Sequence, residues 1–297
     1  MQIVLSFDVE EHDRIEVAAG LNIGTALRAH YQERVAVSTR WLLDALAAAD
    51  VLATFFVVGQ LAEKDPGLVR AIRAAGHEVA SHGWDHRRVL AMAPRAFRED
   101  IRKSKDALEQ ATGAPVVGYR APTFSILPAT AWALDVLVES GLTYDSSIYP
   151  VRHDRYGVPD APRAPFWAVG ERHSILELPP ATLCVSGVSV PMGGGGYFRL
   201  FPLWLTERAL RQTANDCHPP VATLYFHPWE FDPDQARLPL RGLNRFRTYV
   251  GLSRTRGRLT RLLARHRFTR AADMAAELRR REDLATYDLG ACHRAIA

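Results

Sequence analysis

Residues 76–86 read Gly-His-Glu-Val-Ala-Ser-His-Gly-Trp-Asp-His, a short apolar run followed by two histidines four positions apart. The pair Val79 and Ala80 is typical of a strand that ends just before His82. On a helical turn, residues four apart lie on one face, so the imidazoles of His82 and His86 would reach the same ion. Neutral imidazole is a common ligand of zinc and related divalent metals. Because the chain has 11 histidines, a chance pair is the alternative for this stretch on its own.

The amino terminus places two carboxylates in a comparable position. Residues 2–7 form a β-branched and apolar run, which predicts a buried strand, and Asp8 and Glu10 follow at its carboxyl end. In extended backbone these two side chains point to the same side, because the side-chain period is two. Two carboxylates at the end of a core strand are unfavourable unless a positive charge lies between them. A solvated acidic loop is the alternative.

The chain alternates between strand-like and helix-like segments, which favours parallel strands joined by right-handed crossovers. Residues 14–33 show little pattern and are expected to form a loop or an insertion. The other predicted strands are 52–58, 77–81, 116–119, 144–145 and 221–226. The predicted helices are 35–49, 65–75, 94–112, 128–140 and 202–215. The pattern predicts an α/β fold.

The alternation is interrupted between residues 150 and 200, where proline, glycine and β-forming residues predict hairpins and loops. The run Gly193-Gly194-Gly195-Gly196 does not open a strand–helix unit, which argues against a phosphate-binding loop. We expect this run to form a flexible rim over a pocket, with Tyr197 and Phe198 as candidate contacts.

Composition excludes several classes of protein. The first residues lack a basic segment followed by a long apolar one, so no signal peptide is predicted, and a cytoplasmic location is expected. No apolar run reaches the roughly 18–20 residues of a transmembrane helix. The three cysteines, Cys184, Cys217 and Cys292, are odd in number and widely spaced, which argues against a disulfide framework.

Charge is unevenly distributed along the chain. The net charge is only +4, but arginines crowd residues 237–281, where acids are nearly absent. A solvated basic helix packed on the main domain explains such a pattern, and a surface that binds nucleic acid or another anion is the alternative. We therefore predict one domain over residues 1–235 and a basic helical C-terminal extension over 236–297.

Polar residues follow the predicted strands at one end only. At the carboxyl end, where α/β enzymes keep their chemistry, stand Asp8, Glu10, His82, His86, Arg120, Asp145 and His227. Random polar residues would be scattered over both ends. One carboxylate and two imidazoles can hold a metal, and a spare carboxylate, an arginine and a separate histidine complete a set sufficient for metal-assisted hydrolysis.

These motifs together resemble the NodB-type polysaccharide deacetylases of carbohydrate esterase family 4. The resemblance covers about residues 1–230 and is carried by Ser6-Phe7-Asp8-Val9-Glu10, Ser81-His82-Gly83-Trp84-Asp85-His86, Arg120-Ala121-Pro122-Thr123-Phe124, Tyr144-Asp145-Ser146 and Leu224-Tyr225-Phe226-His227. Residues 194–200, 227–233 and 244–246 are similar to a narrower branch, the deacetylases associated with exosortase/PEP-CTERM exopolysaccharide loci. The resemblance implies a distorted (β/α) barrel with about seven parallel strands.

The resemblance also implies roles for single residues. The family's first motif has two adjacent aspartates, a base and a metal ligand, whereas this chain has Asp8-Val9-Glu10-Glu11. We assign the base to Asp8 and the ligand to Glu10, with Glu11 as the rival ligand. His82 and His86 complete a divalent metal site, with Zn²⁺ preferred and Co²⁺ or Ni²⁺ as alternatives.

Further roles follow for the remaining motif residues. Arg120 would pair with Asp8, a backbone N–H near Thr123 would bind the oxyanion, and His227 would protonate the leaving amine. Asp145 would orient His227 through a hydrogen bond. The candidate substrate contacts are Thr123, Phe124, Trp84, Tyr197 and Trp229. The structural alternatives are a salt bridge for Arg120, a cap for Asp145, a core position for His227 and simple packing for the aromatic residues; His12 and His77 are expected to be structural.

The predicted function is the metal-dependent removal of N-acetyl groups from amino sugars of an exopolysaccharide or its precursor. Its expected partner is an N-acetylated glycan, with an association with membrane-bound exopolysaccharide machinery as an extension, and nucleic acid is not expected. An allantoinase-like hydrolysis of a small cyclic amide is the alternative on the same fold. A binder of nucleic acid or an anionic surface is the alternative from another class.

Overall fold

A computed structural model describes residues 1–291, so Cys292 and the last part of the predicted extension lie outside the described residues. The described chain has eleven strands. They are β1 (Gln2–Val9), β2 (Thr54–Val57), β3 (Glu78–Ser81), β4 (Gly118–Tyr119), β5 (Tyr144–Asp145), β6 (Phe166–Val169), β7 (Ser174–Glu177), β8 (Thr182–Val185), β9 (Val188–Pro191), β10 (Val221–Phe226) and β11 (Ala285–Asp288).

Nine of these strands form one sheet in the order β10-β1-β2-β3-β4-β5-β7-β6-β11. From β10 to β7 all neighbours run parallel, β6 is antiparallel to β7, and β11 is parallel to β6. The α/β class is confirmed, and the sheet is a curled half-barrel. The expected count of about seven strands is not confirmed, because the sheet has nine strands, with β6 and β11 added at one edge in the direction opposite to the others.

Ten α-helices accompany the strands over the described residues. They are α1 (Thr25–Ala48), α2 (Gly59–Lys64), α3 (Pro66–Ala74), α4 (Pro94–Thr112), α5 (Trp132–Glu139), α6 (Gly195–Leu200), α7 (Leu203–Asp216), α8 (Gly242–Tyr249), α9 (Leu252–Leu263) and α10 (Ala271–Leu278). Local chemistry explains the bounds of two of them. Asp65 caps α3 by accepting from the N–H of Leu68, and Gly113 ends α4 with a left-handed φ of 64°.

Two helical segments differ from the sequence-based expectation. Helix α1 begins at Thr25, inside the stretch 14–33 for which the sequence predicts a loop, because Tyr31 is already buried there. Helix α2 was not predicted, and it follows β2 directly. The hairpins expected between residues 150 and 200 are confirmed as β6–β7 and β8–β9.

The glycine run 193–196 does not form the predicted flexible rim. Gly193 accepts a hydrogen bond from Tyr225 N at 2.8 Å and Gly194 bridges to β10, so the run is buried against the sheet before α6 begins. Phe198 on α6 is 1% exposed and packs against Phe226 with ring centroids 4.8 Å apart. Phe198 is therefore a core residue and not a contact in the pocket.

The core lies between the sheet and its outer helices and is rich in aromatic rings. Phe7 of β1 stacks on Phe55 of β2 with centroids 5.1 Å apart, and Phe226 and Phe231 complete the cluster. Full burial of such a side chain stabilises the fold by roughly 1.5–3 kcal/mol. The buried β1 thereby fixes the position of the residues that follow it.

The C-terminal segment contributes to the main sheet as well as to its outer layer. Helices α8, α9 and α10 are followed by β11, which pairs with β6. The division of the chain after residue 235 stays a prediction. Within residues 1–291, none of the helices has both the length and the apolar character needed to cross a membrane.

Candidate metal and hydrolytic site

The carboxyl ends of the parallel strands meet at one edge of the sheet, beside a cavity of about 370 Å³. Asp8 and Glu10 arrive from β1, His82 from β3 and His227 from β10, and all four line this cavity. Arg120 follows β4 and is completely buried beneath them. The structure therefore brings together residues that lie far apart in the chain.

Glu10, His82 and His86 form a cluster that could hold a metal ion. One ligand atom from each lies within 4.8 Å of the other two, and the cluster is the only such group of His, Cys, Asp or Glu among the described residues. The Nδ1–H of His82 donates to the carbonyl of Arg120 at 2.8 Å, since a carbonyl can only accept, which leaves Nε2 free as a ligand. Oε2 of Glu10 is buried, contacts His86 and has no hydrogen-bond donor within the described chain. This donor set fits a divalent metal.

The two histidines do not meet through a helical turn as expected. The backbone from His82 to His86 is irregular, with φ of +75° at Gly83 and +63° at His86. The turn brings the imidazole centroids to 5.1 Å. Glycine adopts this φ without strain, whereas His86 adopts an uncommon conformation that its surroundings must stabilise.

The cluster is electrostatically prepared for a cation. Burial raises the pKa of Glu10, but His86 and the other nearby imidazoles outweigh it and lower that pKa to about 2. Burial lowers the pKa of His82 to about 4, so this imidazole is neutral at pH 7. An ionised carboxylate and a neutral imidazole are the forms in which these side chains bind metals.

Asp8 is fixed by Arg120, as the family resemblance implies. Arg120 Nη1 donates to Asp8 Oδ1 at 2.7 Å and to Ser6 Oγ at 2.8 Å. Its other nitrogens donate to the carbonyl and the hydroxyl of Ser146, and the guanidinium lies 4.1 Å from the ring centroid of Phe56. The predicted pairing is confirmed, and the fully bonded arginine holds one carboxylate oxygen while Oδ2 remains at the cavity.

His227 is held by Glu230, a residue that sequence reasoning missed. His227 Nδ1 lies 2.6 Å from Glu230 Oε1, and Arg199 Nε donates to Glu230 Oε2 at 2.9 Å. Burial lowers the pKa of His227, but the hydrogen bond and charge of Glu230 outweigh it and raise that pKa to about 9. The imidazole is therefore protonated at neutral pH, and its Nε2 lies 4.0 Å from Asp8 Oδ2.

The expected hydrogen bond between Asp145 and His227 is wrong. Asp145 is completely buried and accepts from Ser147 Oγ at 2.5 Å, and it pairs in register with Glu177 of the neighbouring strand β7. The physical reason is the strand order, because β5 lies on the far side of β4 and β10 lies beyond β1. Glu230 is available instead, three residues after His227 on a short 3-10 turn.

Glu11 is directed away from the cluster. Both of its carboxylate oxygens bind Arg14, and Lys64 lies 4.0 Å from one of them. Because its carboxylate already has cationic partners, Glu11 is the weaker of the two candidate ligands. Glu10 stays the proposed one.

The predicted substrate contacts divide into two groups. Thr123, Phe124, Tyr197 and Trp229 line the cavity, and the Trp229 ring stacks on His227 with centroids 5.6 Å apart. Trp84 does not line it. Its ring lies where a side chain on Gly59 would be, and it borders a separate groove beside α2 and α4.

Several residues in and around the site were not predicted. Arg199 and Glu230 hold His227 in place. The tetrapeptide His-Pro-Trp-Glu at 227–230 could have indicated the contact with Glu230, because its proline begins a turn that brings Glu230 back to His227. His12, expected to be structural, is buried and lies 3.0 Å from the Tyr249 hydroxyl. The helix α8 contributes Phe246 and Arg247 to the cavity wall, although the similarity of residues 244–246 to the narrower branch suggested no role for them.

Comparison with known proteins agrees with this geometry. Residues 32–144 match the family described as polysaccharide deacetylase, and residues 146–276 match a family described as a domain of unknown function, DUF3473. A chitooligosaccharide deacetylase from Rhizobium leguminosarum bv. trifolii is 35% identical over 102 residues, which cover 34% of this chain and 45% of that protein. A peptidoglycan-N-acetylglucosamine deacetylase from Listeria monocytogenes is 32% identical over 106 residues, covering 33% of this chain and 23% of that protein. The chain thus spans less than half the length of both curated relatives.

Solved structures share the fold over nearly the whole chain. A putative polysaccharide deacetylase from Mycobacterium smegmatis superposes with a TM-score of 0.59 at 20% identity, over 94% of this chain and 90% of that one. PuuE allantoinase superposes with a TM-score of 0.61 at 16% identity, over 95% and 91%. At these identities the likeness concerns the fold alone.

Proposed function

We propose that this chain, which carries a polysaccharide deacetylase domain, is a metal-dependent hydrolase that removes N-acetyl groups from amino sugars. One observation supports this proposal above all others. Glu10, His82 and His86 face one cavity together with an arginine-bound Asp8 and a protonated His227. This set supplies a metal site, a base and an acid for the hydrolysis of an amide.

Glu10, His82 and His86 would hold the divalent metal, with Zn²⁺ as the first choice. A bound metal of this kind lowers the pKa of a coordinated water toward about 7 and polarises a carbonyl oxygen. The hydrogen bond from His82 to the Arg120 carbonyl orients the imidazole and fixes which nitrogen faces the site.

Asp8 would accept the proton of the attacking water. Arg120 holds Oδ1, so Oδ2 is the oxygen that takes the proton. Arg120 has hydrogen-bond partners on all three nitrogens, so it stays in place while Asp8 changes its protonation state.

His227 would donate the proton that the leaving amine needs. Its Nδ1 is engaged by Glu230, which leaves the proton on Nε2 to face the cavity. General acid catalysis of this type contributes about 10²–10⁴-fold to a rate. A backbone N–H at Thr123, where φ is 56°, is the proposed donor to the oxyanion.

The proposed substrate is an N-acetylated glycan of an exopolysaccharide or its precursor. Tyr197, Trp229 and Phe124 offer aromatic surface to sugar rings along the cavity wall. The similarity of residues 194–200 and 227–233 to the exosortase-associated branch supports the exopolysaccharide assignment. Both segments support His227, through Arg199 and Glu230, so they belong to the site itself.

The first experiment measures acetate release from N-acetylglucosamine oligomers by chelated protein and by protein restored with Zn²⁺, Co²⁺ or Ni²⁺. We expect release only with metal, and a loss of both release and bound metal in His82→Ala. The matched control is His173→Ala, which removes a half-exposed histidine on the β6–β7 turn and should leave both unchanged. Protein that binds no metal would contradict the proposal, and metal-dependent hydrolysis of small cyclic amides alone would favour the allantoinase-like alternative.

A further inference from the structure

A basic groove lies outside the site described above, between α7 and α9. It has a volume of about 440 Å³ and is lined by Pro202, Leu203, Ser253, Arg254, Gly257, Arg258 and Arg261. The three arginines Arg254, Arg258 and Arg261 are spaced i, i+4 and i+7 along α9, so they share one face of the helix. The opposite face is buried through Leu252, Leu259 and Leu262.

The groove concentrates positive charge that is not neutralised by ion pairs among residues 1–291. Within the described residues, Arg254 and Arg261 form no ion pair, and Arg258 Nη1 donates to the carbonyls of Arg199 and Phe201 at 3.1 and 2.8 Å. Other arginines nearby do have acids, since Arg265 lies 3.5 Å from Glu207 and Arg270 binds Asp273. Burial lowers the pKa of Arg258, and the positive charges of Arg254 and Arg261 lower it further. The three guanidinium groups therefore repel one another.

Sequence composition reinforces the charge. Residues 235–272 contain eleven arginines and neither Asp nor Glu. Like charges at i, i+4 destabilise a helix slightly, so an anion bound to this face would stabilise α9. The groove is open at Gly257, where an added Cβ would meet no atom of the described residues within 4 Å.

Exposed apolar side chains flank the groove. Trp204 follows Leu203 directly and is 59% exposed, and Leu200 is 44% exposed on the other side of Pro202. On α8, Leu243 and Phe246 are 60% and 54% exposed. Leu200 and Phe246 also line the hydrolytic cavity, so its mouth adjoins the same surface. Arginines beside exposed tryptophan and leucine fit the boundary between headgroups and acyl chains of a bilayer.

We propose that the groove between α7 and α9 binds phosphate headgroups of an anionic phospholipid membrane, with Leu200 and Trp204 entering the interface. The guanidinium groups of Arg254, Arg258 and Arg261 match phosphate oxygens in charge and hydrogen bonding. The exposed apolar side chains distinguish a lipid headgroup from a free phosphate or a nucleic acid, neither of which would cover them. Docking in this way places the hydrolytic cavity beside the membrane surface, although it does not depend on the proposed reaction.

The test is co-sedimentation of the intact protein with vesicles of phosphatidylglycerol and phosphatidylcholine, compared with vesicles of phosphatidylcholine alone, at low salt. We expect binding to the anionic vesicles only. The double variant Arg254→Gln/Arg261→Gln should bind about 30-fold more weakly, and Arg254→Lys/Arg261→Lys should retain most of the binding. Trp204→Ser should weaken binding several-fold without a change of charge.

The matched control is Arg73→Gln/Arg95→Gln, which removes two exposed arginines from α3 and α4 that form no ion pair among the described residues. Its binding should equal that of the wild type. An equal loss in the control, or no binding to anionic vesicles, would overturn the proposal. Binding of inorganic phosphate or of DNA through Arg254 and Arg261, without vesicle binding, would show a soluble anion as the occupant and would overturn it too. Circular dichroism of each variant checks the fold.

Discussion

A single buried contact, with Glu230, sets the protonation state of His227. The imidazole stays protonated because Glu230 lies 2.6 Å from Nδ1, and Glu230 stays ionised because Arg199 binds its other oxygen. Burial raises the pKa of Glu230, but Arg199 and His227 outweigh it and the pKa is lowered. The three residues therefore act as a chain of alternating charge that ends at the cavity.

We predict that Glu230→Gln lowers kcat for acetate release by about 10–100-fold, a part of the 10²–10⁴-fold that general acid catalysis contributes. KM should change little, because Glu230 does not touch the cavity surface. Asp145→Asn is the control, since Asp145 is equally buried but bonds to Ser147. Steady-state kinetics of both variants make the comparison. An Asp145→Asn enzyme with the larger loss in kcat would restore the sequence-based assignment of Asp145.

Asp8 and Arg120 allow a second prediction at the scale of residues. Arg120→Lys keeps the charge but cannot reproduce donation to Asp8, Ser6 and Ser146 at once. We expect the free energy of unfolding, measured by denaturant titration, to fall by about 3 kcal/mol or more, because buried acceptors lose their donors. Arg172→Lys, on an arginine whose side chain is 63% exposed, should change stability little. Equal stability of Arg120→Lys and the wild type would contradict this account.

At the scale of elements, the helix α6 depends on the glycines that precede it. Gly194 approaches β10 so closely that an ideal Cβ would lie 1.6 Å from the carbonyl oxygen of Tyr225. The backbone must therefore move if any side chain is added. Because α6 carries Tyr197 and Arg199, a displaced α6 would alter both the cavity wall and the support of Glu230.

We predict that Gly194→Ala lowers the free energy of unfolding by more than about 3 kcal/mol. Gly187→Ala is the matched control, because Gly187 also has a positive φ, +80°, but a Cβ there meets no atom within 4 Å. That variant should lose only about 1–2 kcal/mol through backbone strain. Urea denaturation of both proteins gives the comparison. Equal losses would show that φ, and not the contact with Tyr225, makes Gly194 necessary.

At the scale of the whole molecule, sequence patterns predict the parallel sheet and the edge that carries the site, because hydrophobic strands and the polar residues after them are local signals. β1 and β10 were predicted almost to their bounds. The strand order was not predictable from residues, and it is what separates Asp145 from His227. The turn from His82 to His86 and the hydrogen bond between His227 and Glu230 depend on tertiary packing, which the hydrophobic periodicity of a sequence does not predict.

The buried pair of Asp145 and Glu177 should make the stability of this sheet depend on pH. The two carboxyl groups face each other across β5 and β7 without access to solvent. Burial raises the pKa of Asp145 to about 6, and burial together with the Asp145 charge raises that of Glu177 well above its usual range. Asp145 Oδ2 and Glu177 Oε2 have no other hydrogen-bond partner among the described residues, which fits one shared proton. Arg120 is the charged group that opposes these shifts.

A carboxyl group with a raised native pKa stabilises the fold fully below its unfolded pKa, and this stabilisation is lost as pH rises through the native value. The wild type should therefore lose stability from this pair above about pH 4, by up to 1.4 kcal/mol per pH unit for each of the two carboxyl groups that stays protonated in the native state. Glu177→Gln keeps a donor toward Asp145 without ionising, so its free energy of unfolding should fall less steeply between pH 4 and 8. Asp145→Asn should flatten the curve similarly, because either change removes the repulsion between two carboxylates. Denaturant unfolding at several pH values measures the slopes. Parallel curves for wild type and both variants would mean that the pair holds no shared proton, and that the two buried oxygens are neutralised by another donor.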